Sequence, residues 1–182
     1  MRIHITGAPG SGTTTLGENW SRISGCSHFD TDTFFWLPTN PPFRQKRDID
    51  ERLRLMMVAA NSSNSWVLTG SLDGWGDPLI AYFDAVVFLS VPTEIRMARL
   101  VEREQRRYGA AALESGGPMH QTHREFLDFA ESYETRTGPA GRSRQRHEAC
   151  LRQLPCPVLR IEGDREPEYG VSVLMAHVAG RS

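Results

Sequence analysis

The sequence predicts an α/β fold of three layers, with one five-stranded parallel sheet between helices and a phosphate-binding turn after the first strand. Three observations carry that expectation. Strand and helix patterns alternate along the chain, which favours a parallel sheet covered on both faces. Residues Gly7 to Thr14 read GAPGSGTT and follow the short apolar strand Ile3-His4-Ile5. Behind them Leu16, Trp20 and Ile23 fall at helical spacing, so the glycine-rich turn opens a helix.

That turn has a physical purpose. Glycines 7, 10 and 12 let the backbone curl so that successive N–H groups point inward at an anion. The helix behind them aims its positive end at the same place. The stretch matches G-x-x-x-x-G-K-[ST] with Thr14 as the metal-binding hydroxyl, except that Thr13 occupies the lysine position.

The remaining elements follow in order. Residues Cys26 to Asp30 form a second strand that runs into Asp30-Thr31-Asp32, then a loop of aromatics and prolines from Phe34 to Phe43. Arg44, Lys46 and Arg47 make a basic run. Asp48 and Glu51 resemble a capping box, and the helix they start places Ile49, Leu53, Met56, Met57 and Ala60 on one face. Trp66 to Gly70 reads as a buried third strand, followed by Ser71-Leu72-Asp73-Gly74-Trp75, a short helix over Pro78 to Tyr82 and a fourth strand over Ala85 to Leu89. A long helix runs from Thr93 to about Arg107. Tyr108 to Met119, rich in glycine and alanine, is expected to be a mobile loop. Helical spacing resumes near Phe126, and Gly138 to Gly141 interrupts it. Another helix covers about Arg142 to Leu154, a fifth strand Pro157 to Ile161, and a last helix starts near Pro167. No repeat or linker divides the chain, so residues 1–182 are expected to form one domain.

Composition narrows the function. The 182 residues carry a net charge of −1, which offers no field for nucleic acid or an anionic membrane. No apolar run approaches the roughly 20 residues needed to span a bilayer, and no leader pattern precedes the first strand. Three cysteines, Cys26, Cys150 and Cys156, read as free thiols in a reducing compartment. The expected location is the cytoplasm. Lys46 is the only lysine among 21 basic residues.

The arginines are patterned. At about 100° per residue, Arg96, Arg99, Arg103, Arg106 and Arg107 share one stripe of the long helix, and Arg142 and Arg146 lie four apart on another. A guanidinium fork suits phosphate because it donates two hydrogen bonds to two oxygens. Outer members such as Arg96 are compatible with an ordinary helix surface.

At this point the chain resembles the adenylate-kinase-like family of P-loop nucleotide and small-molecule kinases, through the Gly7–Thr14 loop and the order of elements over most of its length. The resemblance implies a P-loop NTPase fold with an acceptor-binding segment over about 30–61 and a short lid over about 108–119. It places ATP phosphates on Gly7, Ala8, Pro9, Gly10, Ser11, Gly12, Thr13, Thr14 and Thr15, with Mg²⁺ at the Thr14 hydroxyl. Arg103, Arg107, Arg142 and Arg146 match the catalytic arginines flanking the lid. Asp73, in Leu72-Asp73-Gly74-Trp75, resembles the aspartate that holds metal-bound water, although Thr69-Gly70-Ser71 aligns there as well. Asp30 and Asp32 resemble an acidic pair that orients an acceptor hydroxyl, with Asp32 preferred as base. Arg44, Lys46 and Arg47 could hold an acceptor phosphate, and Phe34, Phe35 and Trp36 could stack on a base or wall off a sugar.

These expectations describe an ATP-dependent phosphotransferase with a nucleotide donor and a small acceptor, a nucleoside monophosphate ahead of a hydroxyl compound. The absent lysine leaves three routes open: an arginine from the lid side replaces it, Lys46 or Arg44 reaches in, or the protein binds nucleotide as a regulator with little transfer. No Asn-Lys-x-Asp guanine signature is present. A metal site at His120 and His123 lacks a further ligand at suitable spacing.

Overall fold

A computed structural model describes residues 1–138 and 141–180. Five strands, β1 (Arg2–Gly7), β2 (Ser27–Asp30), β3 (Trp66–Thr69), β4 (Ala85–Ser90) and β5 (Val158–Glu162), form one sheet in the order β2-β3-β1-β4-β5. Every pairing is parallel. In register, Ile5 of β1 lies beside Thr69 of β3 and Val87 of β4, so the turn after β1 leaves from the middle of the sheet. That position exposes it at the carboxyl edge, where ligands of open α/β sheets bind.

Alternation along the strands divides the core. Ile3, Ile5, Val67, Val87 and Leu89 point to one face and pack with Leu16 and Trp20 of α1 (Thr13–Ser24) and Val171 and Leu174 of α8 (Pro167–Ala179). Trp66, Leu68, Val86 and Phe88 point to the other face, against Met56 and Ala60 of α3 (Ile49–Asn61) and Leu151 of α7 (Arg144–Leu151). Both faces are covered by helices, as a parallel sheet requires. Two buried imidazoles, His4 and His147, lie on this second side.

The boundaries fall within a few residues of those expected, with informative differences. The aromatic loop begins with a five-residue helix, α2 (Thr31–Phe35), because Asp30 caps it by accepting from the Asp32 backbone N–H. Asp48 caps α3, but Glu51 pairs with Arg54 instead of closing a capping box. Ile49 is exposed rather than on the inner face, and Arg52 is buried there. A 3₁₀ turn spans Asp77–Tyr82. Helix α4 (Thr93–Tyr108) is followed by the short α5 (Ala110–Leu113), so the stretch expected to be a loop is partly helical, and α6 (His120–Glu131) comes next. The break expected at Gly138 to Gly141 lies partly outside the described residues. Among these, no helix is long and apolar enough to cross a membrane.

Candidate nucleotide and acceptor site

The loop after β1 closes through the Ser11 N–H, which donates to the Ala8 carbonyl at 3.1 Å. Gly10 adopts φ 81°, and a Cβ there would stand 2.7 Å from the Arg96 carbonyl; only glycine fits against helix α4. Gly12 has φ 90° in open space, so it is needed for conformation rather than room. As N-cap of α1, Gly12 offers no side-chain cap, and the first turn holds no acidic residue. The N–H groups of Thr13, Thr14 and Thr15 therefore lack intrahelical partners. The Ser11 hydroxyl is buried without a hydrogen-bond partner among the described residues. An uncapped helix end and an orphaned hydroxyl fit the oxygens of a phosphate chain.

Beside the loop, the Thr14 hydroxyl donates to Asp30 at 3.1 Å. Asp32 lies two residues on, in the first turn of α2. Crowding by the surrounding chain raises its pKa above the ordinary aspartate value, and Asp30 adds to this; Arg142, a hydrogen bond from Trp36 and Arg103 oppose it. Arg142 in turn faces Asp32, Tyr133, Asp73 and Asp30, and burial lowers its pKa against their pull. Two arginines expected from the sequence, Arg103 and Arg142, thus lie within electrostatic reach of Asp32. Arg103 also rests over the Phe126 ring at 5.6 Å.

Other expected residues are placed differently. Arg146 grips Asp73 with Nε at 2.9 and 3.0 Å and Nη2 at 2.6 Å. The carboxylate in contact with Thr14 is therefore that of Asp30, and Asp73 is engaged elsewhere. Arg107 stacks over Phe43 at 5.4 Å and Tyr108 at 6.0 Å, because Phe43, at φ 62°, brings its ring to helix α4. Arg47 is turned inward, donating to the Phe34 and Trp36 carbonyls at 3.0 and 3.3 Å. Arg44 reaches the Pro118 carbonyl at 3.4 Å. Phe35 packs edge-on to Trp36 and Trp75 with the Arg52 guanidinium 3.9 Å above it, and Trp36 meets Phe43 at 6.0 Å. These contacts build the segment rather than leaving its cations and rings open.

The arginine stripe also divides. Arg99 pairs with Asp164 and Arg106 with Glu102, while Arg96, on the stripe by helical angle and compatible with an ordinary surface, is fully buried. No sequence period could show this, since burial depends on which carbonyls converge on the side chain. A further feature unexpected from sequence is a cavity of about 320 Å³ beside the loop, lined by Ser11, Gly12, Thr15, Arg99, Arg165 and Pro167 among others. Its signal was the Gly163-Asp164 turn after β5 with Pro167 opening α8. Among the described residues no group of three histidine, cysteine or acidic side chains is set to hold a metal. His120 instead bonds the Leu113 carbonyl, and Cys26 and Cys150 are free thiols.

Residues 3–120 match the family described as AAA domain. The Bacillus subtilis (strain 168) protein described as Uncharacterized protein YqaC is 44% identical over 162 residues, covering 89% of this chain and 88% of its own. A cytidylate kinase of Thermococcus sibiricus is 26% identical over 137 residues, 70% of this chain and 69% of the relative. A solved shikimate kinase from Bacteroides thetaiotaomicron shares the fold, with TM-score 0.58, 20% identity and 98% of each chain covered. The charge-free but otherwise intact phosphate loop, the sheet order and these likenesses agree: the chain belongs to the AAA-domain family of P-loop nucleotide and small-molecule kinases.

Proposed function

We propose that the protein transfers the terminal phosphoryl group of ATP to a hydroxyl of a small acceptor. The observation that carries this reading is the placement of Asp32 beside Asp30, whose carboxylate accepts from both the Asp32 N–H and the Thr14 hydroxyl, with Arg142 and Arg103 within electrostatic reach of Asp32. Mg-ATP, when bound, supplies the phosphoryl group and most of the charge that neutralises its transfer.

The chain's own residues do the rest. Backbone N–H groups of the loop and of the first turn of α1 bind the donor phosphates, and the cavity beside Arg99 and Pro167 takes the donor base and ribose. Thr14 and Asp30 would hold the metal. Asp32 orients the acceptor hydroxyl and takes its proton as oxygen bonds to phosphorus and the bond to the β-phosphate oxygen breaks. Arg142 and Arg103 supply the positive charge that Thr13 lacks, since Lys46 lies by the Phe35 ring and Arg44 by Pro118. The segment over about 108–119 acts as the lid and excludes water.

A bare hydroxyl is favoured over a phosphorylated acceptor because Arg47 and Arg44, the cations suited to an acceptor phosphate, bond backbone carbonyls. A nucleoside monophosphate is the second reading, favoured by the likeness to cytidylate kinases. A coupled assay of ADP release across small hydroxyl compounds and nucleoside monophosphates distinguishes them. Stimulation by hydroxyl compounds alone is expected. Tight ATP binding with no stimulation by any acceptor would defeat transfer and leave a nucleotide-binding regulator.

A further inference from the structure

Arg96 is fully buried, and its fork gathers three separate segments. Nε donates to the Val91 carbonyl at 3.0 Å, in the turn before α4. Nη1 donates to the Pro9 carbonyl at 3.1 Å, in the phosphate loop, and to the Ala130 carbonyl at 3.4 Å, near the end of α6. Nη2 donates to the Thr93 hydroxyl at 2.9 Å. The nearest carboxylate, Glu134, is 3.7 Å away and substantially exposed, and the Tyr133 ring lies below at 5.4 Å. Burying a guanidinium with so little countercharge is costly, and apolar side chains of similar volume would fill the space as well. The fork must therefore do something that filling does not.

The bond to Pro9 indicates what. A trans peptide is planar, so its C=O and N–H point in opposite directions. Holding the Pro9 carbonyl toward Arg96 aims the Gly10 N–H the other way, and no hydrogen bond among the described residues engages that N–H. We propose that Arg96 is a positioning residue that fixes the Gly10 N–H as a phosphate donor and ties the loop to α6. This rests on reading residues 7–15 as the donor-phosphate site. Thr13 makes the arrangement consequential, because a loop without its own cation depends more heavily on the aim of its N–H groups. Lysine, a single ammonium, cannot span the three carbonyls.

The test uses inorganic tripolyphosphate and the full chain. In Arg96→Lys, the Gly10 amide resonance of the ligand-free protein is expected to move and exchange faster, and the tripolyphosphate dissociation constant to rise about tenfold. Glu134→Gln, which leaves the Pro9 bond intact, should change neither. A folded Arg96→Lys protein with a wild-type Gly10 amide and unchanged tripolyphosphate affinity overturns the proposal, whatever its melting temperature. If Arg96→Lys does not fold, titration of the wild-type protein decides: the Gly10 amide must be among the resonances tripolyphosphate moves. Binding that leaves Gly10 unmoved overturns the positioning role alone. No binding at all overturns the phosphate reading of the loop along with it.

Discussion

Thr14 and Asp30 meet at 3.1 Å, hydroxyl to carboxylate, across the gap between helix α1 and the end of β2. The other Asp30 oxygen caps α2 by accepting from the Asp32 N–H at 2.9 Å. One carboxylate thus links the proposed metal position to the proposed base. Asp30→Asn should raise the Mg²⁺ concentration for half-maximal turnover about 10- to 100-fold, the usual cost of disturbing the groups that orient a metal ligand. Asparagine caps a helix about as well as aspartate, so stability should be little affected. A Mg²⁺ titration and urea denaturation check both expectations; an unchanged Mg²⁺ requirement would refute the assignment.

Asp32→Asn should lower kcat by about 10² to 10⁴, the range for losing a general base, with nucleotide affinity retained. Because crowding and Asp30 raise the Asp32 pKa, the acid limb of kcat against pH should lie above the ordinary aspartate range. The base is lost as pH falls through that limb. Activity that persists unchanged down to pH 4 would contradict the role.

Thr13→Lys restores a cation at the first residue of α1. A charge-assisted hydrogen bond contributes about 1.5–3 kcal/mol, so nucleotide affinity or turnover should rise by roughly tenfold or more with folding intact. Calorimetry and initial rates measure this. A folded variant with an unchanged or lower rate would show that the arginines already compensate fully or that the loop positions its ligand otherwise.

His4 and His147 predict acid sensitivity. Burial lowers the His4 pKa to about 4 and the His147 pKa to about 3, with Arg142 contributing to the second. Below the unfolded value near 6.5, the unfolded chain takes up protons that the folded protein refuses. Stability is therefore lost from about pH 6.5 downward. At pH 5 each histidine should have cost about 2 kcal/mol. Urea midpoints at pH 7 and pH 5 test this, and His4→Gln should keep only part of the difference.

The sequence made the phosphate loop and its flanking strand and helix legible because glycine spacing and apolar periodicity are local properties. The same holds for the strands, whose apolar runs match the buried registers within a residue or two. Helix α2 was not legible: the Asp30 cap that starts it is local, but five residues stay helical only because Phe34 packs into the core, which is a tertiary fact. Arg103 and Arg142 lie within electrostatic reach of Asp32, whereas Arg107, Arg47 and Arg44 are engaged with rings and backbone carbonyls, since a cation's partner is chosen by the fold around it. Arg96 shows the limit most clearly. By helical angle it belongs with the exposed stripe, yet carbonyls from residues 9, 91 and 130 make it interior.

The contacts of Phe43 with Arg107 and of Arg44 with Pro118 have a kinetic meaning. They join the proposed acceptor arm to the helix that leads into the proposed lid and to the end of the lid itself. Two flaps fastened to each other move together, so a substitution that frees one should loosen the other. Hydrogen exchange after Phe43→Ala should then quicken over residues 108–119 as well as around residue 43 itself.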